Sequence, residues 1–151
     1  VVVVVGAYGQ AVRQALGELD GRDLLVVDNP DWAAGQSTSV TAGLRALPDS
    51  SGAAVFLLCD QPMVTPGLVR SLVDRHSETL ASIVAPLVDG QRGNPVLFDR
   101  RTFPELSALT GDTGGRALFA RYPVSWLPWH DRSALADIDT LDDYRRMQEQ
   151  S

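Results

Sequence analysis

Two acidic stretches of this 151-residue chain carry side chains able to bind a divalent cation. Asp60 follows an apolar run and stands two residues before Pro62, which fixes the next turn. Asp137 and Asp139 lie in the second stretch, where alternation along an extended segment puts them on one side, so either or both could face a site. Carboxylate oxygens suit Mg²⁺, which takes one or two carboxylates together with substrate phosphates.

These carboxylates also have structural interpretations, which the sequence leaves open. Asp60 could instead cap the turn or helix that follows its strand. Asp142 and Asp143 suit the first turn of a helix, because negative charge is favoured at a helix N-terminus. Asp60 with Asp139 would make a two-carboxylate Mg²⁺ site, and turn or helix caps are the alternative.

Other side chains with possible chemistry are few. Cys59 is the only cysteine, so no intrachain disulfide can form, and its place in an apolar run predicts a core residue rather than a nucleophile. His76 and His130 have no second His or Cys at ligand spacing, which argues against a zinc site.

Charge and composition exclude several classes of partner. The net charge is -6, and all thirteen basic residues are Arg, which argues against nucleic acid and excludes a phosphate loop built around a Lys. No stretch resembles a signal peptide or a membrane span, so we expect no membrane partner and a cytoplasmic location.

Apolar periodicity predicts a single α/β domain over residues 1–151. Alternating strands and helices imply a mostly parallel sheet with helices on both faces and ligands at the carboxyl ends of the strands. A hairpin-like excursion is predicted between residues 88 and 96. The predicted strands are 1–5, 24–27, 53–59, 82–88, 96–98 and 124–127. The predicted helices are 8–19, 40–47 (with N-cap hydroxyls at 37–39), 66–80 (capped by Thr65), 101–109, 113–122 and 140–148.

The first five residues are all valine. A run that is apolar at every position is typical of a parallel strand buried on both faces. Because an interior strand is an unusual place for a chain to begin, we expect the domain to be N-terminally incomplete, with residues before Val1 cut away or not seen.

Six motifs, taken in order, resemble molybdenum cofactor cytidylyltransferases and their guanylyltransferase relatives, which make molybdopterin-guanine dinucleotide. They are Asn29-Pro30-Asp31-Trp32; Gly35-Gln36-Ser37-Thr38-Ser39 with Gly43; Leu58-Cys59-Asp60-Gln61-Pro62; Arg92-Gly93-Asn94-Pro95-Val96-Leu97-Phe98; Gly111-Asp112-Thr113-Gly114-Gly115-Arg116; and Asp137-Ile138-Asp139-Thr140. The resemblance implies a three-layer, Rossmann-like nucleotide-diphosphosugar transferase fold. It also implies transfer of CMP or GMP from CTP or GTP to a molybdopterin-type acceptor, with release of pyrophosphate and with a molybdoenzyme as a client.

The resemblance also assigns residues to sites. Asp60 and Asp139 resemble the catalytic Mg²⁺ ligands. The residues that resemble the nucleotide site are Gly35, Ser37, Ser39 and Asp60, and those that resemble the acceptor side are Gly93, Asn94, Pro95, Asp112 and Arg116. The family also begins with a strand and a Gly-rich loop that contains Arg and Lys, and this chain has neither the loop nor any Lys.

Two other functions stay open. The opening Gly6, Gly9 and Asp28 imitate a dinucleotide-binding unit, which suggests an NAD(P)H-dependent reductase. Tyr8, however, occupies the place of the second glycine, where a side chain would obstruct the pyrophosphate. The other is a non-catalytic nucleotide-binding accessory protein for molybdoenzyme maturation, because a fold does not fix a function.

Overall fold

The structure is a computed structural model that describes residues 1–17 and 23–149, and these alternate strands and helices as predicted. The strands are β1 (Val2–Val5), β2 (Leu25–Asp28), β3 (Ala53–Phe56), β4 (Ile83–Val88), β5 (Gln91–Arg92), β6 (Val96–Asp99) and β7 (Val124–Trp129). The α-helices are α1 (Gly9–Leu16), α2 (Gln36–Arg45), α3 (Pro66–Thr79), α4 (Phe103–Ser107) and α5 (Leu141–Glu149). The last residues of the predicted helix 8–19 lie outside the described residues.

The chain divides into two compact units. Unit 1 consists of Val1–Ser51 and Arg101–Arg121, and unit 2 consists of Gly52–Arg100 and Tyr122–Ser151. The single domain over residues 1–151 stays a prediction. Within the described ranges, no helix is both long enough and apolar enough to cross a membrane.

Unit 1 opens with the predicted β-α-β order. β1 pairs with β2 in parallel, from Val2 beside Leu25 to Val5 beside Asp28. α2 packs against β1 and against α4, and Gly43 permits the first approach, because a Cβ there would lie 3.3 Å from the Val4 side chain. The buried apolar side chains of this unit include Val5, Val40, Leu106 and Leu118.

Unit 2 contains a sheet in the order β3-β6-β4-β5, with β7 paired along the whole of β4. β7 runs parallel to β4, but β6 is antiparallel to both β3 and β4, and β5 is antiparallel to β4. The α/β class is confirmed, whereas a mostly parallel sheet is wrong for this unit. β6 returns from β4 through a tight excursion, and only a longer crossover can bring a strand back parallel.

The core of unit 2 forms where α3 covers the sheet. Leu68 and Leu72 of α3 are fully buried against Val84 and Leu97. The helix begins as predicted, with Pro66 in its first turn and with Thr65 Oγ1 accepting a hydrogen bond from the backbone N–H of Leu68. Both features favour a helix start, so the position of α3 is set locally.

Three helix predictions need correcting. α2 begins at Gln36 with Gly35 as its N-cap, so the hydroxyl residues 37–39 lie inside its first turn. The predicted helix 101–109 is a 3-10 turn, Arg100–Thr102, followed by the short α4. The predicted helix 113–122 is a 3-10 helix, Gly115–Ala120, in a glycine-rich stretch that disfavours a long α-helix.

Candidate active site

Strand β3 ends earlier than predicted, which changes the setting of Asp60. Its last pair joins Phe56 to Val96, and the next partner along β6 would be Pro95. Because proline has no backbone N–H to donate, the ladder stops there. Cys59 is consequently exposed, and the prediction that it belongs to the core is wrong.

The turn that follows β3 meets the second acidic stretch. The backbone N–H of Ile138 donates to the carbonyl oxygen of Asp60 at 2.8 Å. Gln61 Nε2 donates to Asp137 Oδ1 at 2.5 Å. We call Asp60, Gln61, Asp137 and Asp139 the acidic junction. The three carboxylate residues of the acidic junction are exposed, so their oxygens are accessible to a ligand.

Gln61 is the buried member of the acidic junction and is a residue that sequence reasoning missed. It is only 8% exposed. Within residues 1–17 and 23–149, its Oε1 is buried and has no hydrogen-bond partner. A weak signal was available, since Gln61 stands between a carboxylate and a proline in a turn, but sequence gives no indication that its amide is buried.

The donor set of the acidic junction fits a hard divalent cation. Its groups are oxygens, three of them carboxylates, and one buried amide oxygen has hydrogen-bonding capacity to spare. No group of three or more His, Cys, Asp or Glu among the described residues is arranged to hold a metal. The chemistry of these oxygens, with one or two carboxylates as direct ligands, suits a cation such as Mg²⁺, which completes its shell with waters and phosphates.

The predicted acceptor loop is a bulge between β5 and β6. Arg92 pairs with Leu87 of β4, and Leu97 pairs with Val84 of β4. Four residues, 93–96, separate Arg92 from Leu97, whereas only two separate their partners on β4. The two surplus residues interrupt the ladder with β4, as bulges do. The loop is thus fixed by strand register, and the Asn94–Pro95 peptide within it is cis.

Gly93 packs inside this bulge. A Cβ there would lie 3.2 Å from Leu135 Cδ2 and 3.3 Å from Pro86 Cγ, and its N–H donates to the Pro86 carbonyl at 3.0 Å. Leu135 stands two residues before Asp137. One short segment, 134–139, therefore connects the predicted acceptor loop with the acidic junction inside unit 2.

In unit 1, two glycine motifs lie backbone to backbone. Gly35 has φ of 112°, and a Cβ there would meet Asp112 N at 2.7 Å and Gly111 closer still. The N–H of Ser37 donates to the Gly111 carbonyl at 3.1 Å. The N–H of Gln36 donates to Asp112 Oδ1 at 3.3 Å. We call residues 35–37 and 111–112 the glycine contact.

Two predicted acceptor-side residues belong to this part of unit 1. Asp112 caps α2 from outside the helix, because its carboxylate accepts from the first helical N–H. Arg116 is exposed on the 3-10 helix Gly115–Ala120, and no carboxylate of the described residues pairs with it. An unpaired guanidinium is suited to bidentate binding of phosphate. The structure places these residues without testing the predicted role of either.

Ser39, predicted to bind nucleotide, contacts a buried asparagine. Asn29 is 4% exposed, and its Nδ2 donates to Thr38 Oγ1 at 2.8 Å and to Ser39 Oγ at 3.0 Å. Its Oδ1 accepts from the N–H of Asp31 at 3.1 Å. Asn29 thus ties the end of β2 to the first turns of α2. The motif that contains it was visible in the sequence, but its buried hydrogen bonds were not.

A groove of about 520 Å³ lies beside the same part of unit 1. Its lining includes Asp28, Asp31, Thr41 and Arg45. Arg13 pairs with Asp28 at 2.7 Å, so opposite charges balance locally. The acidic junction is not part of this groove, and the geometry of the junction rather than cavity size identifies it as the candidate active site.

The histidines occupy ordinary structural positions. His76 Nε2 lies 2.9 Å from Asp99 Oδ2, and both side chains are largely buried, at 15% and 13% exposed. This contact joins α3 to the end of β6. His130 is exposed.

The start of α5 fixes the chain just after Asp139. Thr140 Oγ1 donates to Asp143 Oδ2 at 2.6 Å, and the backbone N–H of Thr140 donates to the same oxygen at 2.9 Å. The hydroxyl bond from Thr140 is the main cause that lowers the pKa of Asp143 from its ordinary value of 3.8, and Arg146 adds to the effect. The predicted helix start is confirmed, since Thr140 and Asp143 form a reciprocal cap.

Comparisons with known proteins bear on the whole chain. The profile of the MobA-like NTP transferase domain matches residues 1–126. The crystal structure of Rv0371c from Mycobacterium tuberculosis H37Rv is 32% identical, with 98% of this chain and 75% of that chain covered and a TM-score of 0.81. A structure of Rv0371c in complex with manganese is also 32% identical, with 99% and 77% covered and a TM-score of 0.80.

A more distant likeness shows the fold alone. Molybdopterin-guanine dinucleotide biosynthesis protein A from Archaeoglobus fulgidus is 19% identical, with 98% of this chain and 76% of that chain covered and a TM-score of 0.71. No curated protein is significantly similar to this chain.

Proposed function

We propose that this chain, which belongs to the family of MobA-like NTP transferases, moves CMP or GMP from CTP or GTP to a molybdopterin-type acceptor. In the reaction, an oxygen of the acceptor phosphate attacks the α-phosphate of the nucleotide. The bond to the β-phosphate breaks, and pyrophosphate leaves. The transferase class comes from the family, whereas the proposed base and acceptor rest on the six sequence motifs.

One observation carries the proposal: the acidic junction brings Asp60 and the stretch 137–139 together. Asp60 and the stretch 137–139 are far apart in sequence. The backbone N–H of Ile138 donates to the carbonyl oxygen of Asp60 at 2.8 Å and joins the two segments. Transfer of a nucleotidyl group concentrates negative charge, so positioning and electrostatic stabilisation supply most of the catalysis. A site with two carboxylates, Asp60 and Asp139, would provide both through a bound cation.

Asp60 and Asp139 would hold the divalent cation, for which we propose Mg²⁺. When bound, such a cation acts as a Lewis acid and neutralises charge on the phosphates. The chain supplies the frame. The Ile138 hydrogen bond fixes the backbone of Asp60, and the Thr140 cap fixes the residue after Asp139. Manganese bound to Rv0371c is consistent with a divalent cation of this kind here.

The reductase alternative has less support from the geometry. A dinucleotide site needs open backbone at its first glycine. A Cβ on Gly6 would lie 2.7 Å from Trp32 Cβ, so Trp32 already fills the space beside it. Asp28, the residue expected to bind the ribose, is paired with Arg13. The family assignment favours the same conclusion.

Calorimetric titration tests the proposed function. The chain would be titrated with CTP, GTP, ATP and NADPH, each with Mg²⁺, with Mn²⁺ and without metal. We expect saturable binding of CTP or GTP that needs the cation and that is lost in Asp60→Asn. Asp74→Asn is the matched control, because Asp74 is an exposed carboxylate of α3. Binding of NADPH alone, indifferent to metal and to Asp60, would replace the transferase with the reductase.

Turnover separates an enzyme from an accessory protein. We expect pyrophosphate release when nucleotide, cation and a molybdopterin-type acceptor are combined, and none when the acceptor is left out. Cation-dependent nucleotide binding with no pyrophosphate under any combination would favour the non-catalytic accessory protein.

A further inference from the structure

The amide of Gln61 is satisfied on one side only. Its nitrogen donates to Asp137 Oδ1, while its oxygen is buried and, within the described part of the chain, accepts nothing. A buried acceptor without a donor typically costs about 1–3 kcal/mol. A ligand-bound state in which a donor reaches Gln61 Oε1 would recover that cost.

The orientation of the amide is fixed by its neighbour. Turning the amide over would place Oε1 against the Asp137 carboxylate, which carries only acceptors and would repel it. The orientation with nitrogen toward Asp137 is therefore favoured, and the free oxygen follows from the presence of that carboxylate. Asp137 thus determines which end of the Gln61 amide is available.

The hydrogen-bond donor that Gln61 Oε1 lacks cannot be another side chain of the acidic junction. Asp60, Asp137 and Asp139 are acceptors when ionised, so none of them can donate to Gln61 Oε1. A group of carboxylates attracts cations. Water bound to a divalent cation can donate a hydrogen bond. Ligands in metal sites are regularly held by hydrogen bonds from a second layer of residues.

We propose that Gln61 is a positioning residue of the cation site. Its Nε2 holds Asp137, and its buried Oε1 would accept a hydrogen bond from a donor that arrives with the cation. The inference rests on the proposed function, because it requires a divalent cation at Asp60 and Asp139. It adds a residue that neither touches the phosphates nor binds the metal directly.

Binding of Mn²⁺ alone tests this inference, with free Mn²⁺ measured by electron paramagnetic resonance and no nucleotide present. Gln61→Leu removes both hydrogen bonds at similar volume, and we expect the dissociation constant to rise about 10- to 100-fold. Gln61→Met provides a second apolar replacement in case the first variant does not fold. Gln14→Leu, on the exposed face of α1, controls for the substitution, and thermal unfolding checks each variant.

Two variants of Asp137 distinguish positioning from charge. Asp137→Asn keeps an oxygen that can accept from Gln61, whereas Asp137→Ala removes it. We expect Asp137→Asn to retain most of the Mn²⁺ affinity and Asp137→Ala to lose as much as Gln61→Leu. The double variant of Gln61→Leu with Asp137→Ala should lose no more than either single variant, because the two act as one unit.

The outcomes separate this inference from the proposed function. Native Mn²⁺ affinity in both Gln61 variants, together with loss in Asp60→Asn, would overturn the positioning role and leave the transferase site standing. Equal losses in Asp137→Asn and Asp137→Ala would also overturn it, because the carboxylate charge would then account for the effect. Native affinity in Asp60→Asn as well would remove the cation site itself.

Discussion

The acidic junction and the glycine contact both come from motifs that suggest ligand binding, but they use their polar groups differently. In the glycine contact, the N–H groups of Gln36 and Ser37 are already bonded to Asp112 and Gly111. In the acidic junction, three carboxylates are exposed and one buried amide oxygen is unsatisfied. Glycine-rich spacing looks alike whether it serves a ligand or a close backbone approach. Unused hydrogen-bonding capacity separates the two cases.

Gly35→Ala is the most severe test of this comparison. The new Cβ would clash with the backbone of residues 111–112 at a φ of 112°. We expect the free energy of unfolding to fall by about 3–5 kcal/mol, through overpacking and backbone strain together. Urea unfolding measures the change. Gly52→Ala is the control, since nothing lies within 4 Å of a Cβ there. A small loss, equal to that of the control, would mean that the glycine contact is not close-packed in solution.

Asp139→Asn should show the opposite behaviour. Its side chain is exposed, so we expect the free energy of unfolding to change by less than about 0.5 kcal/mol. Affinity for Mn²⁺ should nevertheless fall by about 100-fold, the upper end of the loss for changes around a metal site. Parallel urea unfolding and Mn²⁺ titration give both values. Unchanged affinity would make Asp60 and Asp137, rather than Asp139, the carboxylates of the site.

Asp112→Ala tests the part of the glycine contact in which Asp112 caps α2. The carboxylate accepts from the first N–H of α2, so its loss should cost about 1 kcal/mol, as for other helix caps. Asp112→Asn keeps an acceptor and should cost less. If both variants are as stable as the native chain but bind nucleotide or acceptor poorly, Asp112 serves the ligand and the comparison fails at this residue.

Thr140→Ala gives the smallest expected effect and tests the frame behind Asp139. The Thr140 hydroxyl is the main cause of the lowered pKa of Asp143, so removing it should raise that pKa toward 3.8. Because the folded pKa is depressed, the associated stability is present above the ordinary value and is lost as the pH falls through the folded value. NMR titration of the Asp143 carboxyl measures the shift. Thr140→Ser should preserve the native titration, and an unshifted Thr140→Ala curve would contradict the cap.

Local signals in the sequence predicted much of the fold. Thr65 and Pro66 predict the start of α3, and Thr140 and Asp143 predict the cap of α5. These signals act within one turn of chain, so they can be read without knowledge of tertiary structure. The β-α-β opening was predicted for the same reason, because apolar periodicity reports each element separately.

What the sequence could not predict depends on partners that are distant along the chain. β3 stops at Phe56 because the residue opposite its next position is Pro95, and this pairing also leaves Cys59 exposed. The antiparallel direction of β6 depends on which strands it joins. The acidic stretches were both identified as candidates, but only the fold shows that they meet, and only burial identifies Gln61.

The exposed Cys59 makes this chain convenient for spectroscopy. It is the sole thiol of the sequence and stands next to Asp60. A fluorophore or nitroxide attached there would label one position without any cysteine having to be removed. Paramagnetic Mn²⁺ arriving at the neighbouring carboxylate would quench or broaden that signal, so the molecule already carries the attachment point for its own cation sensor.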